Sequence, residues 1–515
     1  MTISLKHEVA SKPSIAKSDP LFSRPRFVHN RVLTWLHPIM GAPFSGEHFQ
    51  NGRKPSGKHN RVRTSKTAAV SWTFRSLLTI IVVCLSSNRG VAAHTLAEPV
   101  SDERVFQVTG RLDVTGQLET ASPGKAIAHD LKVDATLEYR ERRLAGTGRD
   151  AEALRSLRHY ETTHIKSTVS GQVTSRRLRD SVRLIVAQGE RGGISPYSPS
   201  GPLRAVELES LQMSGDSLAL LGLLPLKPVD VDEEWTCDSW VLQMLTGTEA
   251  VLKSELKCRL KSITDDAAKV EYQGTLEGAS DGAETKVEVE GHYIYDVVHR
   301  HIRHFEMTEK QKKSLGTRPG VDAVAKIVVE RILAKTDEPL TDEAVARIPF
   351  VPDETQMMLA FNLPWNAQLL HDRSWHLFQQ SNQVAVLRLM ERGSFIAQCN
   401  IVKNRTVAPG THTPEERFQT DIKEALGEKL KEIASAERVK SDDDIYRYRV
   451  QVNGVSGELK MTWIYYLCAA PSGQQIAFVF SVGAEQLERL SNRDQSIIKS
   501  VTFLPPKVTP VKAEP

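Results

Sequence analysis

The chain has 515 residues and a formal net charge of +4, too long for a single hydrophobic core and suited to two or three domains. Residues 1–93 hold 14 Lys/Arg against 3 Asp/Glu, a net of +11, which leaves −7 on the remainder. With that first segment set apart, the body has no basic balance for nucleic acid, so nucleic acid is excluded as a partner.

Residues 1–70 are rich in Pro, Gly, Ser, His and Arg without sustained periodicity and read as a disordered basic extension or an over-extended start. Residues 71–93 read as a signal peptide. Ser76–Leu85 is an apolar run preceded by Arg61, Arg63, Lys66 and Arg75 and followed by the small residues Val91-Ala92-Ala93. A basic flank, a short apolar core and a small-residue site describe a secretory signal cleaved near Ala93. The run falls short of the ~20 residues that cross a bilayer; an uncleaved membrane anchor is the alternative. Export to the periplasm or cell envelope follows.

Residues 94–335 are expected to form a β-rich unit. Arg104–Thr120, Ala126–Arg140, His159–Thr174, Arg176–Gln188, Ala267–Glu277, Ala283–Tyr295 and Val297–Thr308 all read as strands. Asp150–Arg158 and Val321–Leu333 read as helical, and Val206–Leu211 as a short alternating piece. Ser217–Leu226, SLALLGLLPL, is too short to span a membrane and too apolar for a surface loop. Glu234–Leu245 and Ala250–Ile263 read as a hairpin with a type II′ turn at Gly247-Thr248. That register sets Cys237 opposite Cys258. In an exported protein a disulfide there contributes roughly 3 kcal/mol in the chain-entropy model; two buried thiols are the alternative. Cys399 and Cys468 have no register from sequence.

Residues 336–369, broken by Pro339, Pro349, Pro352 and Pro364, read as a linker with a packed piece at Met357–Leu363. Residues 370–506 read as a final domain. Ser374–Gln380, Val384–Met390 and Gly393–Val402 are strands. Thr413-Pro414-Glu415-Glu416 opens a helix, and its apolar stripe runs from Phe418 through Ile422, Leu426 and Leu430 to Ile433. Ile445–Val482 alternates Tyr446, Tyr448, Val450 and Val452 against Arg447, Arg449 and Gln451, turns at Asn453-Gly454, and continues through the apolar run Trp463–Leu467. It is a three-strand meander. Ala484–Ser500 switches to helical spacing, and residues 507–515 form a disordered tail.

Two resemblances arise from these patterns. Long antiparallel strands, the Leu-rich segment ending in Leu224-Pro225, and Pro228-Val229 before Trp235 resemble uncharacterised secreted bacterial domains similar in plan to the half-barrel of lipoprotein carriers such as LolA and LppX. Trp375, Gly393 and the meander with its helix resemble the α/β/α sandwich of the PsbP family, a platform for binding proteins or ions with no common activity. The expected fold class is therefore α+β: an N-terminal strand-rich antiparallel curved sheet or half-barrel, and a C-terminal α/β/α sandwich with an antiparallel sheet.

Candidate chemistry is sparse. Gly278-Ala279-Ser280-Asp281-Gly282 matches G-x-S-x-G but lies between two strands, where a nucleophile elbow needs a following helix. Gly146-Thr147-Gly148 lacks the buried strand of a dinucleotide loop. His299 and His301, if both lie in a strand, share a face about 7 Å apart, a spacing open to zinc or copper; His304 faces the other way, and a solvated basic strand face is the plainer reading. No catalytic constellation and no cofactor site emerge. The expectation is an exported, non-enzymatic envelope protein that binds lipid or another apolar ligand in its β-rich region, with Leu218, Leu220, Leu221, Leu223 and Leu224 as the lid. The alternative is an interaction module that docks an envelope protein on its C-terminal sandwich.

Overall fold

The computed structural model describes residues 93–505 apart from 100–101, 123–124, 145–149, 191, 281, 316–318, 350 and 392–393. The N-terminal extension, the signal segment, the C-terminal tail, Gly146-Thr147-Gly148 and Gly393 lie outside the described residues. No helix among the described residues is long and apolar enough to cross a membrane.

Strands account for 55% and helices for 16% of the structure, which corrects the α+β expectation to a strand-dominated fold. Twelve strands form one antiparallel sheet: β1 (Val105–Ser122), β2 (Lys125–Arg143), β3 (Arg155–Val169), β4 (Gln172–Arg176), β5 (Leu184–Glu190), β6 (Gly193–Tyr197), β7 (Glu234–Thr236), β8 (Ala250–Ile263), β9 (Ala267–Ser280), β10 (Ala283–Asp296), β11 (His301–Lys313) and β12 (Gly320–Ala334). Their order is β6-β5-β3-β2-β1-β12-β11-β10-β9-β8-β7, with β4 on β3. Period-two burial drives it. In β10, Val287, Val289, Tyr293 and Tyr295 are buried while Lys286, Glu288 and Glu290 are exposed. Helices α1 (Ala205–Leu211) and α2 (Ser239–Thr246) lie on the apolar side. Helix α2 touches β6 at one end of the strand order and β8 and β9 near the other. The sheet therefore curls round a shared occupant.

Several expectations in this region are corrected. Val321–Leu333 is strand β12, not a helix. Its Ala, Lys, Glu and Arg suit a helix locally, but it pairs along its length between β1 and β11, and Val321, Ala323, Ala325, Ile327 and Val329 bury in strict alternation. Tertiary pairing overrides propensity here. Helix α2 occupies what was read as the first strand of a hairpin. Gly247, at φ 65°, ends that helix as a left-handed cap, and β7 is only three residues long. Val206–Leu211 lies within α1.

Residues 93–99 cross the apolar side. His94 exchanges both backbone hydrogen bonds with Val229, and Glu98 enters a buried ionic cluster. Its carboxylate meets Arg143 of β2 at 2.8 Å and Arg331 of β12 at 2.7 Å, with all three side chains fully buried. Arg331 stacks 4.4 Å from the Phe106 ring centre, and the Ile302 N–H donates to Glu98. Burial alone raises a carboxyl pKa, but the two guanidinium charges outweigh it and hold Glu98 at about 2.

Two further sheets follow. β13 (Leu359–Leu363) and β14 (Ala367–His371) pair with a two-residue strand at Thr502–Phe503. β15 (Trp375–Gln380), β16 (Val384–Glu391), β17 (Ser394–Lys403), β18 (Leu430–Arg438), β19 (Tyr446–Ser456), β20 (Leu459–Ala469) and β21 (Gln475–Gly483) form a seven-stranded sheet in the order β15-β16-β17-β21-β20-β19-β18. The helix Glu415–Leu426 buries Phe418 and Ile422 on one face. On the other, Leu490, Ile497 and Ile498 from two short helices pack with Trp365 and Leu369. The expected α/β/α sandwich is corrected to a strand-dominated unit: one helix of 12 residues on one face and helices of 4 and 7 residues on the other do not make two helical layers. The apolar stripe leaves its helix at Gly427 (φ 51°), so Leu430 and Ile433 belong to β18. The expected last helix breaks at Ser491 (φ 52°). Gly454 is inside β19, where the Lys429 carbonyl would stand 2.0 Å from a Cβ, and the reversal comes at Gly457 (φ 61°).

The cysteines meet by another route than the expected hairpin. Trp235, not Cys237, faces Cys258 across β7 and β8, yet the Cys237 and Cys258 sulfurs are 3.6 Å apart as free thiols. Cys399 faces Phe480, and Phe480 faces Ile464, four residues from Cys468. Cys399 and Cys468 are therefore about 16 Å apart, beyond bonding reach.

Two outcomes are expected. Glu98→Ala leaves two buried guanidinium groups uncompensated and lowers stability in urea by about 3–5 kcal/mol. In the wild type the Glu98 contribution is complete above the ordinary value of 4.5 and fades as pH falls toward about 2, which acid titration of the folded state measures. Produced in an oxidising compartment, the chain should lose the mass of two hydrogens, and the Cys258→Ala variant should not.

Candidate functional site

The enclosed face of the twelve-stranded sheet is lined by small and apolar residues and covered by the segment running from α1 to α2. Leu218, Leu220, Leu223 and Leu224 are buried there, and Leu221 is half-buried against the same core. The Leu223 carbonyl accepts from Trp235 Nε1 at 3.0 Å and from the Tyr293 hydroxyl at 3.3 Å. Met213 packs onto Gly110, where a Cβ would meet its methyl at 2.5 Å. The void left among Gly110, Leu211, Met213 and Val329 is about 10 Å³, at the lower limit of what holds a single water.

Acid–arginine pairs hold the covering segment in place. Arg158 of β3 grips Asp216 through two bonds of 2.7 and 2.6 Å, donates to Glu141 of β2 at 2.9 Å, and lies 5.1 Å from the Tyr139 ring centre. Ser217 donates to Glu141 and accepts from Tyr139. Burial works against the Arg158 charge, but the surrounding carboxylates and Tyr139 push its pKa up. Nearer the rim, Arg179 pairs with Glu207 and Arg176 with Glu209 of α1, each at 2.8 Å.

Several buried polar atoms in this interior have no hydrogen-bond partner among the described residues, and two side chains on β11 have none at all. The inward parity set by Phe305 and Met307 on β11 continues to Glu309 and Gln311. Glu309 stands between Val289 and Ala325, and Gln311 between Val287 and Ala323. Neither carboxylate oxygen of Glu309 and neither amide atom of Gln311 has a hydrogen-bond partner among the described residues. Ser214 Oγ, beside Glu309 but outside hydrogen-bond geometry, and Ser280 Oγ are in the same condition. Burial pushes the Glu309 carboxyl up to about 8. Each such group costs about 1–3 kcal/mol when left unpaired. Sequence reasoning missed the pair because it ended the strand at Thr308; extending the alternation of Phe305 and Met307 by two steps would have found it.

The other sequence candidates are dispersed. His299 sits in the turn before β11 and bonds Asp296, with Arg300 at φ 54° after it. The premise that His299 and His301 share a strand face therefore fails. His301 turns inward, its ring 5.2 Å from Phe106. His304 turns outward, to His292 and Glu306. Gly278–Gly282 is the β9–β10 hairpin, with Ser280 facing Ala283.

No family model and no curated protein matches the chain, so kinship with the PsbP family or with the LolA and LppX carriers has no support from these comparisons. Among solved structures the chain is similar to lipovitellin, described for its lipid–protein interactions, at 9% identity and a TM-score of 0.25, over 50% of this chain and 27% of that one. It is also similar to OprB of Pseudomonas putida at 8% identity and a TM-score of 0.11, over 74% of this chain and 93% of that one. The translocator domain of the autotransporter NalP from Neisseria meningitidis gives 6% identity and 0.10, over 74% and 89%. At these scores the likenesses assign neither family nor function. The sheet itself differs physically from a membrane barrel: its strand order is open, and its outward face carries Lys286, Glu288, Glu290, Lys310 and Lys326, charges that hydrocarbon does not accommodate.

The Glu309 environment makes a stability prediction. A carboxyl raised from 4.5 to about 8 stays protonated in the fold while the unfolded chain ionises, so stability falls as pH rises from 4.5 to 8. Glu309→Leu should remove that slope and raise stability at pH 8 by about 3–5 kcal/mol, read by urea denaturation across pH; an unchanged slope would refute the assignment.

Proposed function

We propose that this chain is an exported envelope protein that holds an amphipathic, lipid-like molecule against the enclosed face of the twelve-stranded sheet and performs no chemistry on it. One observation carries the reading: Glu309 and Gln311 are buried without hydrogen-bond partners among the described residues, beside the apolar core that the covering segment closes. Small-molecule sites combine apolar walls with a few placed polar groups. A protonated carboxyl donates and accepts, and an amide does both, so the pair suits the hydroxyl, ester or amide end of an amphiphile whose tail lies along the sheet.

The covering segment is then a stopper. Leu218, Leu220, Leu223 and Leu224 occupy the apolar surface that a tail would take, and their neighbouring acids are fastened to arginines at the sheet. Loading requires this segment to move outward while its leucines exchange one apolar contact for another. Export is supported by the basic flank, apolar run and small-residue site before His94.

The test is native mass spectrometry of the full chain produced in an exporting host, with organic extraction of what co-purifies. A stoichiometric adduct of lipid mass, lost in the Glu309→Leu/Gln311→Leu double variant, is expected. A bare mass for the wild type, after purification without detergent, contradicts the proposal.

A further inference from the structure

A second group of side chains lies on the opposite, outward face of the same sheet. His292 is on β10, His304 and Glu306 are on β11, and Glu330 is on β12. His292 faces Glu306 directly across one ladder, and His304 faces Glu330 across the next. A register shift between Ile294 and Tyr295 places a bulge beside them, a feature that re-aims side chains.

We propose that His292, His304 and Glu306 bind a divalent transition metal of the zinc class, with Glu330 orienting His304. The nitrogen and oxygen atoms of the first three side chains lie within 4.8 Å of one another. Glu306 stands 3.1 Å from His304 Nε2 and 3.7 Å from His292 Nδ1. Donor atoms around a tetrahedral zinc are about 3.3–3.5 Å apart, so closure needs side-chain adjustments on strands whose backbones are fixed by pairing on both sides. His304 Nδ1 meets Glu330 at 2.6 Å. This is the carboxylate–histidine pairing that fixes a ring tautomer and leaves the other nitrogen for metal.

The surroundings suit the same reading. Glu271 faces His292 from β9 but is drawn to Lys261 at 3.6 Å. The next outward pair along the strands, Glu290 and Thr308, belongs to an open hollow of about 360 Å³ that also takes in Gln273, Lys257 and Lys310. Two imidazoles and one carboxylate leave a fourth position for a further ligand. Such an N₂O set with an open position is the donor pattern of zinc sites that bind water or an exchangeable ligand.

The test is calorimetric titration of the full chain, produced without a histidine tag and stripped with chelator, using Zn²⁺ alone. One equivalent is expected to bind at this site. His292→Ala and His304→Ala should each remove that equivalent, and Glu330→Gln should weaken it about 10–100-fold without changing the stoichiometry. Cobalt(II) added to the wild type gives a second reading that needs no variant. An intense visible band of a four-coordinate site supports the proposal, and a weak six-coordinate spectrum overturns it. Failure of the wild type to bind Zn²⁺ overturns it as well, as does a His292→Ala/His304→Ala double variant that binds like the wild type.

Discussion

The guanidinium of Arg158 is the constraint round which the interior is arranged. It is almost wholly buried, and a charge in that position must be paired and hydrogen-bonded. Glu141 supplies one partner from the sheet, and Asp216 supplies the other from the covering segment. The second bond fixes where that segment docks: Leu218 follows Asp216 by two residues, and its N–H closes back onto the same carboxylate. The leucines then fall on the apolar face behind it. A buried ion pair of this kind adds little net stability over apolar packing; what it supplies here is position, since any other docking strands a charge.

The interior thus contains two kinds of buried polar group, and the contrast between them supports the functional reading. The Arg158 and Glu98 clusters have their charges paired, and each joins chain segments far apart in sequence. Glu309 and Gln311 have no charged partner. They project from the C-terminal half of β11, across from Ala323 and Ala325, in a place where Leu or Val would pack with less cost. Glu98, Glu141, Glu207 and Asp216 each meet an arginine, whereas Glu309 stays neutral and meets none, and an amphiphile's polar end is the partner that its chemistry suits. On the outward face of the same strand, His304 and Glu306 show the reverse condition: polar groups crowded with partners, in the arrangement that a metal completes.

Much of the strand architecture was legible because half-buried strands alternate. Tyr446, Tyr448, Val450 and Val452 set the parity of β19, and the long strands of the first sheet announce themselves in the same way. Where composition argued against pairing, the reading failed. Val321–Leu333 has a helix-forming composition and is a strand because β1 and β11 both present edges to it. Ser239–Thr246 looked like a strand through Trp240, Val241 and Leu242, yet Gly247 caps it as a helix. Cys237 and Cys258 come together despite the wrong hairpin, because β7 still lies on β8. The candidate site was half legible. The leucines of the covering segment stood out by their density, whereas Glu309 and Gln311 were hidden in a run of Glu, Lys and Gln whose two faces look alike without the register. The His292–Glu306 meeting depends on which residues face each other between neighbouring strands, which the spacing of histidines within one strand does not reveal.

The measurement that tests the central claim most directly is the electron density beside the Glu309 carboxyl in a crystal structure of the protein purified without detergent from an exporting host. The account predicts elongated density whose polar end lies within hydrogen-bond distance of Glu309 and Gln311 and whose tail follows the enclosed face, with Leu218–Leu224 displaced from it. Discrete ordered waters bonded to Glu309 and Gln311 beneath an undisplaced covering segment would contradict it.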